Sequence, residues 1–214
     1  MSLNRRTHRL SATGLARLLA IFVAFIGFQT ASAATVLELG TEDLVNQSEL
    51  IIHGQVTDRW TEYDDERDTV FTHVRIAVSD VVKGAVSSTH IELQFEGGTY
   101  GNRRVQVSGM NVPLLGEEGI YFVERPDRVQ INPLYGWQQG HYVVRMAEDG
   151  QTPLVMTYDL RPVFGFRSAT RGSNVFVSSG GAPLGIKTAP KDNDTPMTVG
   201  EFKSALRSLV EVSE

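Results

Sequence analysis

The run Ser48-Glu49-Leu50-Ile51-Ile52-His53-Gly54-Gln55-Val56, followed by Val70-Phe71-Thr72-His73-Val74-Arg75-Ile76-Ala77-Val78, decides the fold. In the first segment Leu50, Ile52, Gly54, Val56 and Trp60 share one parity, and His53, Gln55 and Thr57 the other. In the second, Val70, Thr72, Val74, Ile76 and Val78 alternate with His73, Arg75 and Ser79, and β-branched residues abound. A period of two with this composition predicts two half-buried strands, paired as a long antiparallel hairpin with one apolar face. Between them lie Glu62, Asp64, Asp65, Glu66 and Asp68, interrupted by Arg67 and without the turn glycine of a calcium-binding loop, which reads as a solvated tip.

Outward from the hairpin, short alternating or apolar runs recur: Ile91-Glu92-Leu93-Gln94-Phe95, Ile120-Tyr121-Phe122-Val123, His141-Tyr142-Val143-Val144-Arg145 and Pro153-Leu154-Val155-Met156. Glycine-bearing turns separate them, with no crossover helix long enough for parallel pairing. The pattern predicts a mainly β chain of five to seven strands, a small barrel or sandwich. Gly97-Gly98-Thr99-Tyr100-Gly101-Asn102 is read as a break in the sheet. A phosphate cradle would need a helix directly after it, and Arg103-Arg104-Val105 looks extended. Thr41-Glu42-Asp43-Leu44-Val45-Asn46-Gln47 predicts a short helix capped by Thr41. At the far end, Thr198-Val199-Gly200-Glu201 forms a capping box, and Phe202, Ala205, Leu206, Leu209 and Val210 repeat at helical spacing.

The first residues set the compartment. Arg5, Arg6, Arg9 and Arg17 precede an apolar run from Leu18 to Phe28 and the small-x-small triplet Ala31-Ser32-Ala33, the arrangement of a signal peptide. The run is too short for a permanent membrane span. Cleavage after Ala33 removes four arginines and leaves 16 basic against 25 acidic residues, a net charge of −9. An acidic chain is poorly suited to nucleic acid. There is no cysteine, which excludes disulfides, thiolate metal sites and a cysteine nucleophile. The expected organisation is a signal peptide over residues 1–33, a barrel domain over 34–160, a Gly/Ser/Pro-rich loop or linker over 161–197 and a C-terminal helix over 198–214. The expected location is the periplasm or the medium of a bacterium.

No catalytic residues, metal site or cofactor are predicted. His53 and His73 lie on the polar faces of paired strands. With the tip centred near Asp65, opposite positions sum to about 130, and the two rings stand on the order of 13 Å apart, too far to share an ion. They are read as exposed sheet histidines. No Gly-x-Ser-x-Gly elbow is present.

Ser48-Glu49-Leu50-Ile51-Ile52, Val74-Arg75-Ile76 and Val82-Lys83-Gly84 resemble the hairpin of the tissue inhibitors of metalloproteinases and the wider netrin-like modules. Gly97-Gly98, Gly116-Glu117-Glu118 and Gln139-Gly140-His141-Tyr142 are similar to segments of exported bacterial proteins of this type. The resemblance implies a five-stranded OB-type barrel and a non-enzymatic protein-binding module whose partner is an extracellular metalloprotease. In those inhibitors the mature N-terminal cysteine chelates the protease zinc and the next side chain enters a pocket. Here Ala34 and Thr35 take those places. The alternative expectation is a saccharide or small-ligand module that binds through Tyr100, Tyr135 and Trp137.

Overall fold

The structure is a computed structural model that describes residues 35–166, 176–178, 183, 185–191 and 193–213. In chain order come β1 (Thr35–Leu37), helix α1 (Thr41–Gln47), β2 (Leu50–Asp64), β3 (Thr69–Lys83), β4 (His90–Glu96), β5 (Gly98–Tyr100), β6 (Arg103–Val105) and β7 (Glu118–Val123). A 3-10 turn (Trp137–Gly140) leads into β8 (His141–Met146) and β9 (Pro153–Thr157). Then follow β10 (Gly165–Phe166), β11 (Phe176–Ser178), β12 (Ile186–Lys187) and helix α2 (Val199–Ser213). The main sheet has six strands in the order β4-β3-β2-β7-β8-β9, every neighbour antiparallel. Among the described residues the chain is mainly β with two α-helices, and the sheet stays open where five strands in a closed ring are expected. Residues 129–132 form no strand. Their tie to β4 is a single bond from the Glu96 amide to the Ile131 carbonyl, 2.9 Å.

The expected hairpin forms, but its centre differs. Asp64 pairs with Thr69 and Trp60 with His73, so opposite positions near the tip sum to 133. Register shifts between Ile51 and Ile52, His53 and Gly54, and Val56 and Asp58 then change the pairing toward the root. Bulges of this kind insert unpaired residues and twist a strand, and an alternation pattern cannot reveal them. Gly54 pairs with Val78 on one side and Gly119 on the other. A Cβ at Gly54 would stand 2.4 Å from the Ala77 carbonyl oxygen, and one at Gly119 2.6 Å from that of Tyr142. The two glycines let three strands approach where side chains would hold them apart.

The single apolar face is the second correction. From Leu50 to Gly54 every residue of β2 is buried, and so are both parities of β7 from Gly119 to Val123. Ile51, Ile120, Phe122, Tyr142 and Val144 pack under Leu44 and Val45 of α1 and Phe202 and Leu206 of α2. On the opposite face Leu50, Ile52, Val56, Val74, Ile76, Tyr121 and Val123 gather with Leu93, Phe95 and Leu134. Segments without regular structure cover that side, through Met110 and Val112. A sheet buried on both faces reads as continuous apolar runs at its centre.

The helices follow from local chemistry. Gly40, not Thr41, caps α1: its carbonyl accepts the Leu44 amide at 3.0 Å, while Thr41 is buried. The capping box of α2 forms as expected. The Thr198 amide and hydroxyl reach Glu201 Oε2 at 2.9 and 2.8 Å, and the Glu201 amide returns to Thr198 Oγ1 at 3.3 Å. Phe202 is fully buried and stacks near Tyr142 and Phe166, with ring centroids 4.8 and 5.2 Å away. Burying such a ring contributes about 2–3 kcal/mol. Asp80 of β3 then fixes the helix by its polar side, accepting from Lys203 Nζ at 2.6 Å and from Arg207 Nη2 at 2.8 Å. Within residues 161–197, Val163 and Ile186 join the first core, and β10 pairs with β12. No helix among the described residues is long and apolar enough to cross a membrane.

Candidate binding surface on the distal hairpin

Strand β7 accompanies β2 only from Leu50 to Gln55. Two further backbone bonds, Val56 to Glu117 and Gly116 to Val56, both 2.9 Å, end the contact. Beyond them β2 and β3 run on as an arm, flanked by β4 along Phe71–Ala77 of β3, and the β5–β6 hairpin folds across it. The Gly97 amide donates to the Val70 carbonyl at 2.7 Å, Thr72 Oγ1 to the Gly97 carbonyl at 2.7 Å and Thr61 Oγ1 to the Thr99 carbonyl at 2.8 Å. At Gly98, with φ at +139°, a Cβ would meet Thr72 Oγ1 at 2.8 Å and Thr61 Cγ2 at 2.9 Å. The Gly97-Gly98 pair therefore serves close strand crossing.

On the covered side of the arm, Tyr63 and Tyr100 stack with centroids 6.3 Å apart, and the Arg103 guanidinium lies 4.2 Å over the Tyr63 ring. Asp68 accepts from the Tyr63 hydroxyl and, at 3.1 Å, from Arg103. The Tyr63 hydroxyl and then Arg103 hold the Asp68 carboxyl below its usual range, and the bond to Asp68 raises the Tyr63 phenol. Tyr100 remains 49% exposed. The alternation of β2 puts Trp60 on the other side, stacked on His73 at 5.0 Å with planes 12° apart. Arg75 stands 5.0 Å over the Trp60 ring. The His73 ring lies between Glu92, 2.9 Å from Nδ1, and Glu62, 3.4 Å from Nε2, and Arg75 reaches Asp58 at 3.3 Å. At the tip Asp64 accepts the Glu66 and Arg67 amides at 3.0 and 2.9 Å and the Arg67 guanidinium at 2.6 Å, so this carboxylate holds the turn.

The histidines depart from expectation. His53, His73 and His141 are 8%, 5% and 2% exposed, while His90 is open to solvent. His53 Nε2 meets Glu118 at 2.9 Å and His141 Nε2 meets Glu117 at 2.8 Å. These adjacent carboxylates point to opposite faces of the sheet, so each face gains one buried imidazole paired with a carboxylate, Glu118 itself being 42% exposed. The partners lie 65 and 24 residues from their histidines, so only the three-strand register brings them together. His73 stands across from Trp60, seven positions along β2 from His53. Among the described residues no three His, Cys, Asp or Glu side chains converge as a metal site.

The sequence-predicted binding residues fall in separate places. Ala34 lies outside the described residues, and Thr35 begins β1, where it pairs with Ser178 of β11. Tyr100 lies on the arm. Tyr135 packs half-buried against the first core, its amide bonded to the Phe122 carbonyl at 2.9 Å and its phenol raised by burial. Trp137 opens the 3-10 turn at a φ of 58°. Tyr135 and Trp137 are neighbours, but Tyr100 instead joins Tyr63 and Arg103. Those last two went unrecognised as a pair because 40 residues separate them; Tyr63, Tyr100 and Arg103 are legible singly as large or cationic residues beside turns. No family model, no curated protein and no solved structure matches the chain.

Proposed function

We propose that this chain is an exported, non-enzymatic module of OB type that binds a protein partner, with the distal hairpin arm as its docking surface. The observation that carries the reading is the arm itself: past Gln55 strands β2, β3 and β4 continue without β7, and together with the β5–β6 hairpin they hold Trp60, Tyr63, Tyr100 and Arg103 in fixed stacks. Tyrosine, tryptophan and arginine dominate binding energy at protein interfaces. Rings already immobilised by Asp68, His73 and Arg75 lose little side-chain entropy when a partner arrives. An extracellular metalloprotease is the partner that the resemblance to the inhibitor family supports. The zinc-chelating form of that reading rests on the Ala34 amino group and on Thr35, and one residue added before Ala34 abolishes inhibition if it holds. The general reading is tested by crosslinking pull-down from the exported fraction with mature protein and with the Tyr100→Ala/Arg103→Ser variant. Capture of a partner by the wild type, lost in the variant while the fold persists, is the expected result.

A further inference from the structure

The outer edge of β4, on the far side of the arm from β2, is open. The Glu96 amide points away from β3, since it donates to the Ile131 carbonyl at 2.9 Å, while the next amide, Gly97, turns back to Val70. In an extended strand alternate residues point the same way, so the Gln94 and Glu92 amides also face outward. No backbone partner meets them among the described residues. Alongside them lies a cleft of about 240 Å³, lined by Glu92, Leu93 and Gln94 on one wall and by Arg125, Arg128 and Val129 on the other.

The charges of this cleft are uneven. Among the described residues Arg128 has no ion-pair partner, and the Arg125 guanidinium pairs only with Glu49, at 3.7 Å through Nε. The Glu92 carboxylate is already committed to His73 at 2.9 Å and Arg75 at 3.8 Å. Asp127 is the one remaining carboxylate in the lining. Val129, 47% exposed, adds an apolar contact on the arginine wall.

We infer that this seam takes an acidic, extended segment of a partner protein, which adds as a strand to β4 and sets its carboxylates against Arg125 and Arg128. The single Glu96–Ile131 bond marks the end of the seam, where the chain's own backbone already occupies the edge. Strand addition draws its affinity from main-chain bonds and its selectivity from the flanking side chains, and here the flanking side chains select negative charge.

The test uses two capped octapeptides, alternating Glu and Val in one and alternating Lys and Val in the other, added to the full mature chain and followed by amide exchange and NMR titration. The Glu-Val peptide is expected to bind and to slow exchange at Glu92 and Gln94 by about tenfold. Arg125→Ser/Arg128→Ser should weaken it roughly tenfold, from two exposed pairs of up to ~1 kcal/mol each. Gln94→Pro, which removes an outward amide and no bond to β3, should weaken it too. Tyr100→Ala should leave it unchanged. Equal binding of the Lys-Val peptide, no protection at Glu92 and Gln94, or indifference to both variants overturns the inference. So does protection of those amides before any peptide is added, which would show the edge already filled by a second copy.

Discussion

Replacing Tyr142 by phenylalanine should stabilise the protein. The ring is 1% exposed, and its hydroxyl is buried without a hydrogen-bond partner among the described residues. Burial pushes its phenol far above the usual range. A hydroxyl taken from water without a new partner costs about 1–3 kcal/mol. The Tyr142→Phe change removes that cost and preserves the ring's contacts with Phe122 and Phe202, whose centroids lie 5.6 and 4.8 Å away. Only a small void replaces the oxygen, so a net gain of about 1–2 kcal/mol is expected. For a chain of this size that raises the melting temperature by about 2–4 °C per kcal/mol. Urea unfolding followed by tryptophan fluorescence measures it, with Tyr121→Phe as the control. The Tyr121 hydroxyl makes one long contact, 3.5 Å to the Glu117 carbonyl, and its removal should be near neutral. A Tyr142→Phe variant destabilised by about 1 kcal/mol or more would show that the hydroxyl has a partner, and would refute the reasoning.

Asp80 gives the pH dependence of the C-terminal helix. Burial alone would raise its carboxyl, but the bonds from Lys203 and Arg207 outweigh it and the folded value is lowered. A depressed carboxylate contributes stability above its unfolded value, about pH 4, and loses it as the pH falls through the folded one. Asp80→Asn should therefore cost about 1–2 kcal/mol at pH 7 and almost nothing near pH 2, read by urea unfolding at both pH values; an equal cost at both would contradict the assignment. Gly54→Ala should cost about 2–4 kcal/mol in the same assay, because the added methyl meets the Ala77 backbone, and a neutral result would show that β3 can move aside.

What the sequence carries is local. The alternation around Leu50 and Val74, the glycine-marked turns and the capping box at Thr198 each depend on neighbours within a few residues, and each appears where the pattern puts it. What it conceals depends on register. The hairpin centre follows from the turn between Asp64 and Thr69, and the uninterrupted β2–β7 register brings His53 to Glu118, so a histidine on a nominally polar face ends buried against a carboxylate. The burial of both sheet faces needs α2, whose apolar stripe does not state which face it will cover. The candidate surface is legible in part. Tyr100 is visible as an aromatic in a glycine turn, whereas its stacking on Tyr63 requires β5 to fold over the arm through Gly97 and Gly98.

The central claim, that the arm binds a protein, is tested most directly by the crosslinking pull-down with mature wild-type chain and Tyr100→Ala/Arg103→Ser side by side. Both side chains are half-exposed or more and lie outside the two cores, so the variant should melt with the wild type. Loss of two interface side chains of these types should weaken capture by about tenfold or more. A partner recovered by the wild type and lost from the equally folded variant is the result the account predicts. Recovery of the same partner in equal yield by both chains, or of none by either, would contradict it.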